Sequence, residues 1–481
     1  MKKFYITTAI DYANDAPHIG HALEKIQADV FARYQRQKGK KTFFLTGVDE
    51  HGIKIERAAA LVGKSPKEFV SQNSKKFKEL KKILNLSWDN FIRTSDKKRH
   101  WPGVIKMWQL LDKAGDFYKK KYKGLYCVGC EAFKTEKELI DGKCSDHQKA
   151  PEVIEEENYF FRLSKYSKII ESKIKNDEIK IVPQSRKNEI LSFLKNGLTD
   201  ISVSRPRKNL SWGIPVPGDS SQVMYVWLEA LVNYLSAIGY GRNSEFKKFW
   251  PADVHFIGKD ILRFHAVIWP AMLISTKLPL PKKIFVHGFI TVNGQKMSKT
   301  IGNIIDPVDL AKRYGTDALR YYLLREISAY EDGDFTEEKF RIRYNGDLAN
   351  GLGNFTARIL ALASRDVNLR IYANKNIDKK IKEIKKSVEQ KLEEFKFHEA
   401  LAAIWELISF GDNYINKTEP WKIVNLDEKS RVLTDLIMIL KNSAELLEPF
   451  LPQTFEKIFK SVKISQKIIK IKKGDNLFPR I

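Results

Sequence analysis

The feature that most constrains this chain is the strict alternation with which it starts. "KKFYITTAI" at 2–10 predicts an apolar strand, and Leu23, Ile26, Val30 and Tyr34, spaced by three and four, predict a helix over 19–39. "KTFFLTGV" at 41–48 predicts a second buried strand. "SPKEFV" at 65–70 then opens another helix, with Ser65 as cap, Pro66 in the first turn and Glu68 closing a capping box. Strand, helix, strand, helix implies a parallel sheet, because parallel neighbours need a crossover between them. Ligands of such sheets bind beyond the carboxyl ends of strands, at helix N-termini. The first such turn reads Pro17-His18-Ile19-Gly20-His21, where stability alone would favour Ser or Asp. Imidazole N–H groups donate to phosphate oxygens, and a glycine leaves room for a flat base. Alone, the same residues also fit two histidines that merely begin a helix.

The alternation stops near 116, at "FYKKKYKGLYC", and gives way to short strands and turns. It resumes with "MYVWLEALVNYL" at 224–235 and strands "DVHFIG" at 253–258 and "IFVHGFIT" at 284–291. Beyond 343, helical spacing dominates, as in Leu348, Leu352, Phe355, Ile359 and Leu360. The expected division is therefore 1–115 and 216–300 as two halves of one sheet domain, 116–215 as an insertion, 301–342 as a linking region and 343–481 as a helical domain. A length of 481 residues has room for this many units. No apolar run approaches the roughly 18–20 residues of a membrane span. The N-terminus passes from Met1-Lys2-Lys3 straight into a strand, so a cytoplasmic protein with no membrane contact and no leader is expected.

Lys and Arg number 84 against 59 Asp and Glu, a formal charge of +25. That excess favours a polyanionic partner, nucleic acid first. Codon usage in an AT-rich genome explains the total equally well, but not where the cations cluster. From 456 to 473, Lys457, Lys460, Lys463, Lys467, Lys470, Lys472 and Lys473 stand against the single acid Glu456. The three cysteines give no disulfide framework. With His147 they form Cys127-x2-Cys130-x13-Cys144-x2-His147, the spacing of a closed tetrahedral zinc site, whose role is then structural. Unligated buried cysteines are the alternative.

A second motif, "GQKMSKT" at 294–300, follows the last strand of the resumed sheet. Gly294 permits a flexible loop, and Lys296 and Lys299 can neutralise a polyphosphate leaving group as it departs. The pair of motifs resembles the signature of the class I aminoacyl-tRNA synthetases, and most closely the methionyl branch of that family, over essentially the whole chain. Further matches run in order: "LTGVDEHG" at 45–52, "WGIPVP" at 212–217, "YVWLEALVNYL" at 225–235, "GKDILRFH" at 258–265 and "LFPRI" at 477–481.

The resemblance implies an α/β fold: a Rossmann-like parallel sheet, split by a zinc-containing insertion and followed by a C-terminal all-α anticodon-binding bundle. It implies activation of methionine by ATP with Mg2+, then transfer to the 2′-hydroxyl of the terminal adenosine of tRNA(Met), initiator and elongator. Carried over by position, His18, Gly20, His21, Lys296, Ser298 and Lys299 bind ATP, with His18, His21, Lys296 and Lys299 catalytic. Gly258 and Asp260 hold the ribose, and Asp49 meets the substrate ammonium. The thioether lies among Ile10, Tyr12, Trp227, Leu231, Tyr234, Phe264 and His265, whose aromatic edges suit sulfur; plain core packing would explain the same residues. The sequence departs from the family at Ile10, where Leu is frequent, and at Leu231, where Pro is frequent. One structural Zn2+ per chain is implied at the Cys/His cluster. Asn354, Arg358 and Trp421 would read the CAU anticodon; Asn354 and Arg358, four apart, share a helix face. A tryptophan in a bundle core is the other reading of Trp421.

Within the class, the leucine, isoleucine and valine enzymes carry a much larger editing insertion, and the cysteine enzyme places zinc in its substrate pocket. Outside it, a non-catalytic tRNA-binding protein of the same fold is the alternative, against which the intact His18, His21, Lys296 and Lys299 argue. A chain that ends at "LFPRI" without an appended dimerising domain is expected to be a monomer.

Overall fold

In the computed structural model, strand Lys3–Tyr12 pairs in parallel with Lys41–Asp49 on one side and Val254–Gly258 on the other. The full sheet runs Asn90–Arg93, Lys41–Asp49, Lys3–Tyr12, Val254–Gly258, Lys283–His287 and Lys180–Val182. Its strands read as apolar runs because both faces of a parallel sheet are covered: Tyr5, Ile6, Phe44, Leu45, Val254 and Phe256 are fully buried. The structure describes residues 2–481 except 130–131, 135, 137–138, 146–147, 298–301, 365–368, 466–467 and 473–475.

The anticipated helix after the first strand spans Ile19–Gln37. The capping box forms as read: Glu68 N donates to Ser65 Oγ at 3.3 Å, and Ser65 N donates to Glu68 Oε2 at 3.2 Å. A further helix, Ile53–Leu61, had no clear signal. The expected strand 284–291 is two strands in different sheets. Lys283–His287 belongs to the parallel sheet, whereas Ile290–Val292 pairs with Gln295–Lys296 and Gly333–Phe335. The break sits at Gly288, where a Cβ would lie 2.1 Å from the carbonyl oxygen of Glu331. The backbone passing there leaves room for glycine alone.

Residues 116–215 are also not wholly apart from the sheet, since Lys180–Val182 supplies its edge strand, parallel to Lys283–His287. The rest of that segment centres on a long antiparallel pair, Phe117–Cys127 with Glu152–Phe161. Lys121 stands opposite Glu157 and Lys123 opposite Glu155, the arrangement in which cross-strand charges attract.

Two compact units result, Met1–Pro17 with Gln35–Lys81 and Ser87–Val286, and His18–Tyr34 with Lys82–Leu86 and His287–Ile481. The start of the helix Ile19–Gln37 thus groups with the C-terminal half. In that second unit, helices Phe397–Thr418 and Leu426–Leu447 bury Leu401, Ile404, Leu407 and Leu433, Leu436, Leu440 at helical spacing. Among the described residues no helix is long and apolar enough to cross a membrane.

Candidate active site

At the carboxyl ends of three adjacent strands the first unit gathers most of the residues expected to hold methionine and ribose. Strand one ends at Tyr12, opposite Asp49, where strand two ends. Asp49 is buried; its Oδ1 accepts from the backbone N of His51 at 3.4 Å and from Thr94 Oγ1 at 3.3 Å. Trp227 stacks on Phe264, with centroids 3.8 Å apart and planes at 13°, and meets Tyr12 edge-on at 6.0 Å. Ile10 packs partly buried against the same core, which includes Leu231. The indole Nε1 of Trp227 is buried without an acceptor among the described residues.

Deeper in, Tyr234 Oη lies 2.7 Å from His265 Nε2, and His265 Nδ1 lies 2.9 Å from the carbonyl of Ile261. A carbonyl only accepts, so Nδ1 carries a proton and, in the neutral ring, Tyr234 donates to Nε2. Burial, with the His265 imidazole beside it adding to the effect, pushes neighbouring His255 well below the ordinary imidazole range. The third strand ends at Gly258, which is buried, and Asp260 follows it, exposed on a single turn, Lys259–Ile261.

In the second unit, His18 and His21 stack, centroids 3.8 Å apart. The backbone N of His18 donates to His21 Nδ1 at 3.1 Å, and Gly20 N donates to His18 Nδ1 at 3.1 Å. Both Nδ1 atoms accept, so each neutral ring carries its proton on Nε2. The space over Gly20, read from the sequence as room for a base, is taken by His18 itself: a Cβ there would lie 3.0 Å from His18 Cε1. Gly294 does not loosen a loop either. Asn293 and Gly294, both with positive φ, form the two-residue turn of the hairpin that ends in exposed Lys296, and Gly294 N donates to Asp334 Oδ1 at 2.7 Å. Ser298 and Lys299 lie outside the described residues.

Cys127 ends a strand and Cys144 sits in a two-residue strand, both buried. Cys130 and His147 lie outside the described residues, and among those described no group of three or more His, Cys, Asp or Glu side chains is placed to hold a metal ion. Asn354 is exposed at the start of helix Asn354–Ala363, and Arg358 on the same face donates to Asp412 Oδ1 at 3.1 Å and Asn416 Oδ1 at 2.9 Å. Both acceptors lie near the end of helix Phe397–Thr418, shortly before Trp421. Trp421 is 53% exposed, so the bundle-core reading fails.

Residues 4–146 and 134–360 match the family described as tRNA synthetases class I (M). Residues 374–475 match the family described as the anticodon-binding domain of tRNA ligase. The methionine–tRNA ligase of Caldanaerobacter subterraneus subsp. tengcongensis is 43% identical over an alignment that covers 100% of this chain and 79% of that protein. The chain belongs to the methionine–tRNA ligase family. The Thermotoga maritima methionine–tRNA ligase is 45% identical, covering 97% of this chain and 76% of its own. Among solved structures, Mycobacterium tuberculosis methionyl-tRNA synthetase in complex with methionyl-adenylate is 38% identical, with a TM-score of 0.91 over 96% of this chain and 94% of that one. Its apo form is 34% identical, with a TM-score of 0.87 over 100% of this chain and 98% of that one.

The α/β parallel sheet with a C-terminal helical domain is thus the fold of a methionine–tRNA ligase family member. Sequence reasoning missed several groups. Lys54, on the helix after strand two, places Nζ 5.3 Å from the Tyr12 ring centroid. Glu24 is buried between Lys25 and His287. Glu229 is buried between His51 and His100. His51 and Glu229 sit inside motifs already singled out, so a buried carboxylate beside a family motif was the available signal. Nothing in "KRHWPG" marks His100.

Proposed function

We propose that this chain joins methionine to tRNA(Met), initiator and elongator, in two steps. The methionine carboxylate attacks the α-phosphorus of ATP, giving methionyl-adenylate and pyrophosphate. The 2′-hydroxyl of the terminal adenosine then attacks the activated carbonyl and AMP leaves. The observation that carries this reading is Asp49 buried beside the Tyr12–Trp227–Phe264 aromatic group, in a chain so similar to a synthetase solved with methionyl-adenylate.

Asp49 accepts from the substrate ammonium and is oriented for it by Thr94 and the His51 N–H. The thioether lies among Ile10, Tyr12, Trp227, Leu231, Tyr234, Phe264 and His265. Tyr234 donates to His265 and His265 Nδ1–H donates to the Ile261 carbonyl, so both protons of that pair are engaged and the rings meet the sulfur by van der Waals contact. Gly258 lets the ribose approach and Asp260 accepts from its hydroxyls. The Nε2–H groups of His18 and His21 donate to phosphate oxygens, their Nδ1 atoms being held by backbone. Gly20 keeps His18 in that position. Lys296, Ser298 and Lys299, with the Mg2+ that accompanies ATP, neutralise the departing pyrophosphate.

The donor set Cys127, Cys130, Cys144 and His147 suits Zn2+, and burial of both described thiols, Cys127 at the end of a long strand and Cys144 in a two-residue one, is consistent with it. The metal would supply a cross-link in place of a core. Asn354, Arg358 and Trp421 offer an amide, a guanidinium and an exposed indole to the anticodon. The division into sheet halves, insertion, linking region and anticodon domain, a monomeric state and a cytoplasmic location belong to the same reading. Methionine-dependent ATP–pyrophosphate exchange tests it. Exchange with methionine and charging of tRNA(Met) are expected; a chain that binds tRNA but exchanges no pyrophosphate is the non-catalytic alternative.

A further inference from the structure

Glu229, His51 and His100 form a buried hydrogen-bonded group that the reaction above leaves unused. Glu229 and His100 are fully buried and His51 is 2% exposed. His51 Nδ1 donates to Glu229 Oε1 at 2.8 Å, and His100 Nε2 donates to Oε2 at 2.9 Å. Ser236 Oγ lies 2.8 Å from the other nitrogen of His100, and the His51 ring lies edge-on to Trp212 at 5.4 Å. Each carboxylate oxygen therefore holds one imidazole. The group ties three segments together: the loop after strand Lys41–Asp49, the start of helix Trp101–Lys113, and the short helix Val226–Leu231.

Two of these segments carry opposite parts of the methionine site. His51 is two residues past Asp49, and its backbone N–H points at Asp49 Oδ1. Glu229 stands between Trp227 and Leu231 on a helix of 6 residues. A helix of under two turns has little stability of its own, so its placement depends on what pins it. Burial pushes the Glu229 carboxyl up, but the two imidazoles outweigh it and hold the group below the usual carboxylate range. A buried carboxylate pays for desolvation that apolar side chains of similar volume would avoid. Stability alone does not favour this trio.

We propose that the His51–Glu229–His100 group is a positioning device for methionine, fixing the spacing between Asp49, which takes the ammonium, and the Trp227–Leu231 wall, which takes the side chain. The proposal rests on the reading of the pocket given above. Its effect falls on methionine and leaves ATP alone.

Paired amide substitutions test it in pyrophosphate exchange. An Asn side chain places its N–H near the Nδ1 of the histidine it replaces, and a Gln places its N–H near Nε2. His51→Asn and His100→Gln therefore keep the bond to Glu229, whereas His51→Gln and His100→Asn misplace it. Losing a hydrogen bond to a buried charge should raise the methionine KM about tenfold in the misplaced pair. The fitting pair should stay within about twofold, and in all four the ATP KM and kcat should change by less than about twofold. Equal behaviour of the two amides at either position overturns the proposal, as does a shift shared by ATP. Failure of both amides at one position to fold also overturns it, since the fitting amide keeps the bond. Asp49→Ala separates the two readings. If it leaves the methionine KM unchanged, the pocket itself is misassigned; if it raises that KM while the amide pairs show no contrast, only the positioning device fails.

Discussion

Arg320 and Asp29, both fully buried, meet with Nη1 2.9 Å from Oδ2. Arg320 spends its other donors on backbone carbonyls, Leu84 at 3.1 Å, Pro449 at 2.8 Å and Phe450 at 2.7 Å. One guanidinium thus joins the helix that begins at the His18 motif to the turn after helix Pro66–Ile83 and to the turn after helix Leu426–Leu447. A buried pair is weak evidence for net stability, but breaking it strands a charge. Asp29→Ala should cost about 3–5 kcal/mol in urea unfolding. A loss under about 1 kcal/mol would mean that water reaches the guanidinium.

The buried carboxylate of Glu24 sets an acid limit. It accepts from Lys25 Nζ at 2.9 Å and from His287 Nε2 at 3.2 Å. Burial raises its pKa, and Lys25 and His287 outweigh that, holding the group well below the usual carboxylate range. The folded value lies below the unfolded one of about 4.3, so the stabilisation is present above that pH and is lost as pH falls below it. Urea midpoints measured from about pH 6 to pH 3 should fall more steeply for the parent protein than for Glu24→Gln. Parallel curves would show that the Glu24 pKa does not change on folding.

Lys299 should act in the transition state, where pyrophosphate charge develops. Lys299→Ala is expected to slow adenylate formation by about 100- to 1,000-fold, or about 2.7–4 kcal/mol, with methionine binding scarcely changed. A variant that binds methionine weakly yet forms adenylate normally would refute the role.

Metal analysis should find one zinc per chain, bound through Cys127, Cys130, Cys144 and His147. Cys144→Ser or chelation should lower the melting temperature and loosen the insertion, read by proteolysis within 116–215. A metal-free chain of undiminished stability would leave the cysteines as ordinary buried residues.

Trp421 should act on tRNA alone. Trp421→Ala should leave pyrophosphate exchange intact and weaken charging by about 1–3 kcal/mol, the worth of one stacked base. It should also narrow the gap between CAU and other anticodons. Removing Lys463 and Lys470, exposed residues that stand opposite each other on paired strands, should weaken all tRNAs alike and flatten the salt dependence. Equal losses in exchange and charging would contradict the anticodon assignment.

Local chemistry was legible in the sequence. The Ser65–Glu68 capping box, the strands at 41–49 and 254–258 and the helical spacing after 343 follow from interactions between residues a few positions apart. The motifs carrying Asp49, Trp227 and Phe264 were visible too, because each is contiguous. The break at Gly288 was not, since it is caused by the backbone of Glu331, 43 residues away on a neighbouring strand's approach. Nor was the edge strand Lys180–Val182, whose three residues are too few to show a period.

By itself the sequence determined the alternation that makes a parallel sheet, the residue types available at its strand ends and the family to which the chain belongs. Only the tertiary structure decided which imidazole nitrogen carries a proton in His18, His21 and His265, because that depends on which carbonyl or N–H each ring meets. It alone decided that Trp421 is exposed and that Glu229 collects His51 and His100 from 178 and 129 residues away. A buried charge takes its partners from whatever segments packing brings beside it, and chain order does not encode that.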